Sequence, residues 1–206
     1  LAAYYHYLER VDAQIGAILD ALAARPDGEE TLVLFFADHG DSMGGRGLVT
    51  KQVSFYDETT RVPFFAAGPG VARDVTQSTP LTSLLDLLPT LCDYAEITPP
   101  DGLWSRSLRP WLSGAATKGS PHDYVVSEWH TEWGFTIEPG RLLHSGRYKY
   151  MCYREDDAEE LYDLTDDPGE QRNRAHDPAC AAILAEHRVL LDRHLVETDD
   201  PFHSLE

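Results

Sequence analysis

The sequence predicts an α/β fold followed by a smaller antiparallel subdomain with a closing helix. Apolar residues recur at helical spacing from Ala2 to Arg25. Two continuous apolar runs, 31–37 and 62–67, suit strands that are covered on both faces. Later in the chain, short strand-like runs alternate with turn residues. We therefore expect two parts: residues 1–98, with mostly parallel strands and flanking helices, and residues 99–206, the antiparallel subdomain.

The elements of the first part follow from local patterns. The helix at its start is amphipathic, and the runs 31–37 and 62–67 lack the polar alternation of half-exposed strands. A short helix is expected between residues 52 and 60. A further helix begins at Asp86 as its N-cap, with Pro89 in the first turn, where a missing N–H does no harm.

The elements of the second part are shorter. Residues 124–129 suit a strand, and residues 141–153 suit a hairpin whose turn is Ser145-Gly146-Arg147. Residues 161–164 suit one more strand. The last helix, 177–196, begins with Asp at the N-cap and Pro at the first helical position, a typical helix start.

Composition excludes several classes of partner. The formal net charge is −18, from 17 Lys and Arg against 35 Asp and Glu. Binding to nucleic acid or to an anionic membrane surface is not expected, because both need a basic footprint. Much of the acid lies between Glu155 and Glu170, which we interpret as a solvated face. The three cysteines, Cys92, Cys152 and Cys180, form neither a metal-binding pattern nor a disulfide framework.

Asp38 and His39 follow directly on the first apolar run. In open α/β sheets, ligands bind beyond the carboxyl ends of the strands, and a carboxylate with an imidazole suits a divalent cation. A polar turn in which Asp38 caps the next element explains the same residues. Spacing alone favours the turn, because no third ligand is near in sequence.

Lys51 lies twelve positions after His39, beyond a glycine-rich stretch at 44–47. Glycines let the backbone approach an oxyanion, and a lysine at the end of the loop supplies a point charge to a sulfate or phosphate. Lys51 and Arg46 are equally compatible with ordinary surface positions. His130, between two tryptophans, suits a substrate mouth, but a strand end with packing tryptophans gives the same pattern.

These segments resemble the sulfatase family of the alkaline-phosphatase-like superfamily. The order of strand, Asp-His-Gly-Asp, glycine-rich loop, Lys and Arg-Val-Pro over residues 35–63 is similar to a sulfatase block. The later blocks 86–91, 146–150, 160–164 and 167–170 are similar as well, in the same order. Each block is weakly specific alone, whereas the ordered set covers nearly the whole chain.

The resemblance implies the C-terminal part of an alkaline-phosphatase-like sandwich. Asp38 and His39 would be ligands of one divalent cation, calcium before magnesium or manganese, and Lys51 would bind the sulfate and stabilise charge on the leaving oxygen. The intact protein would be a metal-dependent sulfuric ester hydrolase that acts on a small anionic ester. Phosphonate monoester and phosphodiester hydrolases of the same superfamily share this half-site, so they remain an alternative.

Two departures from the family pattern qualify this expectation. Many members have a histidine at the position of Arg46, so that residue is expected at most to contact an anion. The family nucleophile, a formylglycine made within Cys/Ser-x-Pro-x-Arg, fits none of the three cysteines. We expect it on a missing N-terminal segment, so that this chain is inactive alone and self-associates. A non-catalytic binding or structural module is the third hypothesis.

Overall fold

The computed structural model describes residues 2–49, 51, 54–76, 81–116, 118–130, 139–154 and 158–203. None of the helices formed by these residues is long and apolar enough to cross a membrane. The elements are α1 (Ala2–Ala23), β1 (Val33–Phe36), α2 (Asp57–Thr60), β2 (Phe64–Ala67), α3 (Leu87–Tyr94), α4 (Arg109–Leu112), β3 (Val125–Trp129), β4 (Gly140–His144), β5 (Tyr148–Tyr153), β6 (Glu159–Asp163) and α5 (Ala181–Glu197).

The strands of the first part pair in a direction that the sequence did not indicate. β1 and β2 are antiparallel, with Val33 opposite Ala67 and Phe36 opposite Phe64. The expectation of parallel strands is therefore wrong for this pair, although the α/β class is confirmed. An uninterrupted apolar run reports that both faces of a strand are covered, and it carries no information on strand direction.

Large apolar side chains of the first part face solvent. α1 is confirmed, although it ends at Ala23, two residues before the predicted end; it buries none of its residues, and Ile18 is 68% exposed. On the two strands, Phe36 is 43% and Phe65 is 64% exposed. An amphipathic helix and apolar strands normally bury such side chains, so these surfaces have the character of interaction sites.

The start of α3 differs in detail from the predicted N-cap at Asp86. Asp86 lies at the N-cap position of α3, but its side chain makes no capping bond to that helix. Ser83 caps the preceding 3₁₀ turn, 84–86, and its hydroxyl accepts a hydrogen bond from the backbone N–H of Leu85. Asp86 accepts from the backbone N–H of Ser83 at 2.8 Å, which completes a capping box. The Asp86 carboxylate is fully buried and also binds Nε2 of His122 at 2.8 Å. It therefore ties the connection between the two parts to the helix.

The second part is a four-stranded antiparallel meander with α5 packed against it. β3, β4, β5 and β6 pair in sequence order, and the predicted hairpin is the pair β4–β5. The predicted helix start is confirmed, because the Asp177 carboxylate accepts from the backbone N–H of Ala179 at 2.9 Å. Leu184, Leu191 and Leu195 of α5 form the core with residues of the sheet.

The two parts share a second apolar cluster. Phe55, which precedes α2, is buried against Leu142, Met151 and Tyr162 of the meander. Because side chains in such a cluster are close-packed, this contact fixes the loop before α2 relative to the sheet. The boundary predicted near residue 98 lies between α3 and α4, in chain without helix or strand.

Candidate active site

A close backbone approach holds the turn after β1. The backbone N–H of Gly40 donates to the carbonyl of Thr59 at 2.9 Å. A Cβ placed on Gly40 would lie 2.0 Å from the carbonyl oxygen of Glu58, so only glycine fits there. The turn that carries Asp38 and His39 is thereby fixed to α2.

Asp38, His39 and Lys51 lie together, as the sequence predicts. Oδ2 of Asp38 is 3.3 Å from Nε2 of His39, and Nζ of Lys51 is 2.8 Å from that same nitrogen. The Asp38 side chain is 84% exposed, so its carboxylate is open to a ligand. Two acceptor atoms and one ammonium group therefore meet at the end of a strand.

The hydrogen bonds define the tautomer of His39. Nδ1 donates to the carbonyl of Gly40 at 2.9 Å, which leaves the lone pair of Nε2 directed at Lys51. The backbone N–H of His39 donates to Asp38, and this bond, with a smaller effect of the Lys51 charge, lowers the pKa of the Asp38 carboxyl. Asp38 is thus an anionic oxygen ligand beside an imidazole nitrogen whose lone pair, bonded here to Lys51, would bind a cation if the ammonium moved away.

This donor pair fits a divalent cation but does not complete its coordination. Carboxylate oxygen suits calcium or magnesium, and an imidazole nitrogen with its other N–H fixed by a carbonyl is the usual form of a ligating histidine. No group of three or more His, Cys, Asp or Glu side chains suited to a metal ion occurs in the described part of the chain. Any cation held here needs further ligands.

Arg46 lies on the glycine-rich loop but is directed at the second part of the chain. Its guanidinium donates to the carbonyl oxygens of Gly169 and Glu170 and lies over the ring of Tyr56, 3.7 Å from the centroid. The structure therefore does not bring it to His39 or Lys51. Its predicted contact with an anionic substrate stays a prediction without support from these contacts.

His130 lies at the end of β3, apart from the residues around His39. Its Nε2 accepts from Nη2 of Arg141 at 3.0 Å. Arg141 is fully buried and forms a two-pronged ion pair with Asp200 at 2.9 and 2.6 Å. The segment that follows, 131–138, lies outside the described residues, so the predicted substrate contact of His130 stays a prediction.

Sequence reasoning missed a buried ionic cluster next to the loop. Nζ of Lys149 lies 2.9 Å from Oδ1 of Asp57 and 2.7 Å from Oε1 of Glu170. Lys149 and Glu170 are each 1% exposed, so the interpretation of residues 155–170 as a solvated face is wrong for Glu170. One signal was available: Lys149 is a charged residue in a strand-like run whose neighbouring residues are apolar.

Comparisons with known proteins agree with the fold. The sulfatase family model matches residues 1–97. The Delta 4,5-hexuronate-2-O-sulfatase of Bacteroides thetaiotaomicron is 48% identical over 210 residues, which cover 100% of this chain and 43% of that protein. The solved structure of a 2-O GAG sulfatase aligns with a TM-score of 0.94 at 47% identity and covers 100% of this chain and 44% of its own.

A neighbour with a different activity has the same architecture. The phosphonate monoester hydrolase of Agrobacterium radiobacter aligns with a TM-score of 0.80 at 27% identity, over 94% of this chain and 41% of that structure. The chain thus spans less than half the length of these relatives. With its ordered motifs, its α/β part and its antiparallel subdomain, the chain belongs to the sulfatase family.

Proposed function

We propose that the intact protein is a metal-dependent sulfuric ester hydrolase to which this chain contributes Asp38, His39 and Lys51. The observation that carries the proposal is the convergence of the three side chains, with Lys51 at 2.8 Å and Asp38 at 3.3 Å from Nε2 of His39. The end of a strand thus offers an ammonium group for the anionic sulfate ester, and a carboxylate with an imidazole for its metal ion.

Each residue has a distinct role in this proposal. Asp38 and His39 would hold one divalent cation, calcium before magnesium or manganese; when bound, it supplies Lewis-acid polarisation of the sulfate. Lys51 places positive charge where the leaving oxygen becomes negative. The net charge of −18 repels an anionic ester in general, so these local cations must reverse the field at the site. The nucleophile, a formylglycine, lies on a segment outside these 206 residues.

Support for a substrate class comes from the relative with 48% identity. That protein is named a Delta 4,5-hexuronate-2-O-sulfatase, and the similarity extends over the whole of this chain. We propose an unsaturated hexuronate 2-O-sulfate at the end of an oligosaccharide as the substrate. A phosphonate monoester or phosphodiester is the alternative, which the neighbour at 27% identity favours. A non-catalytic module is the third, because the described residues hold an incomplete ligand set.

An assay of the intact protein tests the reaction and the substrate class. Release of sulfate is measured from an unsaturated disaccharide with the 2-O-sulfate on its hexuronate, and a matched disaccharide with the sulfate at 6-O of the other sugar is the control. We expect turnover of the first, loss of activity with EDTA and recovery with calcium. Turnover of a phosphonate monoester or phosphodiester, with none of any sulfate ester, would move the assignment to the alternative.

We further propose that the missing N-terminal segment covers the exposed apolar side chains of α1, β1 and β2. The support is their exposure, which includes Ile18, Phe36 and Phe65, together with a chain that spans 43% of its relative. Without that segment, the same surfaces would bind a second copy.

The 206-residue chain alone is therefore expected to be inactive and to self-associate. Light scattering should give an average mass that rises with protein concentration, and salt should increase it because the charge of −18 is screened. The double variant Ile18→Lys with Phe65→Lys should lower the mass, whereas Val196→Lys, at an exposed apolar residue of α5, is the control. A monomer at all concentrations would contradict this proposal.

A further inference from the structure

Arg46 joins the loop between His39 and Lys51 to the second part of the chain. Its guanidinium donates to two successive carbonyl oxygens, those of Gly169 and Glu170. Its backbone has a φ of +53°, a conformation that residues other than glycine rarely adopt and that surrounding contacts must stabilise. These bonds span 124 residues of sequence, so the position of the loop depends on the antiparallel subdomain.

The receiving residue is itself held rigidly. Glu170 is 1% exposed, and its carboxylate accepts from the backbone N–H of Asp57 at 2.8 Å and pairs with Lys149 at 2.7 Å. Lys149 in turn binds Asp57 at 2.9 Å. One residue of the subdomain therefore holds both the glycine-rich loop, through its carbonyl, and the start of α2, through its carboxylate.

One face of the planar Arg46 guanidinium is also held in place. It lies over the ring of Tyr56, whose hydroxyl donates to Oε2 of Glu160 at 2.9 Å. Tyr162 donates to the same oxygen at 2.6 Å and meets Tyr56 edge to face. An arginine that is stacked on an aromatic ring and bonded at both ends of its fork has little freedom to move.

The loop transmits this constraint because it is a tight unit. The backbone N–H of Gly44 donates to the carbonyl of Leu48 at 2.7 Å, and that of Gly45 donates to Ser42 at 2.7 Å. The N-terminal end is fixed by the bond from Gly40 to Thr59. Holding Arg46 in the middle of this unit therefore restricts the chain from Gly40 to Leu48, and Lys51 follows only three positions later.

We propose that Arg46 is a positioning residue through which the antiparallel subdomain holds the loop that places Lys51 beside His39. The proposal rests on the proposed function, since Lys51 and His39 matter as groups of that site. It also accounts for the departure from the family pattern: the arginine that replaces a histidine binds the subdomain instead of the anion. Reacting groups must be closely oriented, and a displacement of about 1 Å can lower the rate on the order of 100-fold.

Three variants of the intact protein test the proposal: Arg46→Ala, Arg46→Lys and the control Arg147→Ala. Arg147 forms an ion pair with Asp163 at 2.6 Å in the subdomain, and its guanidinium lies over the ring of Tyr148. The first readout is backbone hydrogen exchange over residues 41–51, which needs no turnover. We expect Arg46→Ala to raise exchange there about tenfold or more through loop opening, and Arg147→Ala to leave it unchanged.

The second readout is the kinetics of sulfate release. Arg46→Ala should lower kcat about tenfold to 100-fold with KM changed less than about threefold, and Arg46→Lys should restore little, because one ammonium cannot bind two carbonyls as a fork does. Unchanged exchange in a folded Arg46→Ala variant would overturn the proposal, as would faster exchange with wild-type kcat or a rise in KM alone. A wild-type protein that releases no sulfate counts against the proposed function instead, since exchange still reports on the loop.

Discussion

Replacing Lys51 by alanine in the intact protein is expected to lower kcat for sulfate-ester hydrolysis by about 10²- to 10³-fold, the effect of removing one group that stabilises developing charge. The ammonium lies 2.8 Å from Nε2 of His39, beside the exposed carboxylate of Asp38. It is the charge nearest to the two proposed metal ligands among the contacts that the described residues make. The rate of sulfate release at saturating substrate measures the change.

Lys118→Ala is the matched control for this variant. Lys118 is exposed in the second part, between α4 and β3, so its loss removes the same charge from the protein without removing a residue of the site. Its kcat should stay within about twofold of the wild type, as for surface substitutions in general. A Lys51→Ala variant with wild-type kcat and a raised KM alone would assign the lysine to ground-state binding of the anion. Equal loss in both variants would indicate a general electrostatic effect.

The parts of the fold that local patterns determine were predictable. α1, the hairpin β4–β5 and the start of α5 at Asp177 follow from helical spacing, a glycine turn and an N-cap, which are all short-range signals. The antiparallel pairing of β1 with β2 was not, because an apolar run carries no information on strand direction. Strand direction depends on how the intervening chain returns, which is a property of tertiary packing.

In the candidate site, too, the residues linked by short-range signals were predictable and the long-range contacts were not. Asp38, His39 and Lys51 lie within fourteen successive chain positions on one turn and loop, so their spacing and the family motif place them together. The partners of Arg46 are 123 and 124 residues away, and no pattern in the sequence links them. Glu170 looks like one more acid in an acidic stretch, and only its burial beside Lys149 shows that it is part of the interior.

Lys149→Met should destabilise the intact protein by about 3–5 kcal/mol, because it removes one partner of a buried ion pair and leaves the other charged. The lysine is 1% exposed, and it lies between the carboxylates of Asp57 and Glu170, at 2.9 and 2.7 Å. Methionine keeps most of the volume, so the loss reports on charge and not on a cavity. Urea denaturation measures it.

The pH dependence of the unfolding free energy distinguishes the loss of the buried charge of Lys149 from a packing defect. Burial raises the pKa of Glu170 and outweighs the attraction of Lys149. Burial also acts to raise the pKa of Asp57, but the charge of Lys149, its hydrogen bond and Arg61 outweigh that effect, so the pKa of Asp57 is lowered. In the wild type, the stability that Asp57 contributes is present above its unfolded-state pKa and is lost as the pH falls through the folded value.

Without Lys149, both carboxyl groups gain protons more readily in the folded state, and a raised folded pKa gives stability that is lost as the pH rises through it. The difference in unfolding free energy between wild type and Lys149→Met should therefore shrink as the pH falls from 8 to 5. Adding Glu170→Gln to Lys149→Met should recover part of the loss at pH 8, since it removes one unpaired charge. A deficit that stays constant with pH and is not relieved by the second substitution would show that packing, rather than the buried charge, is what Lys149 contributes.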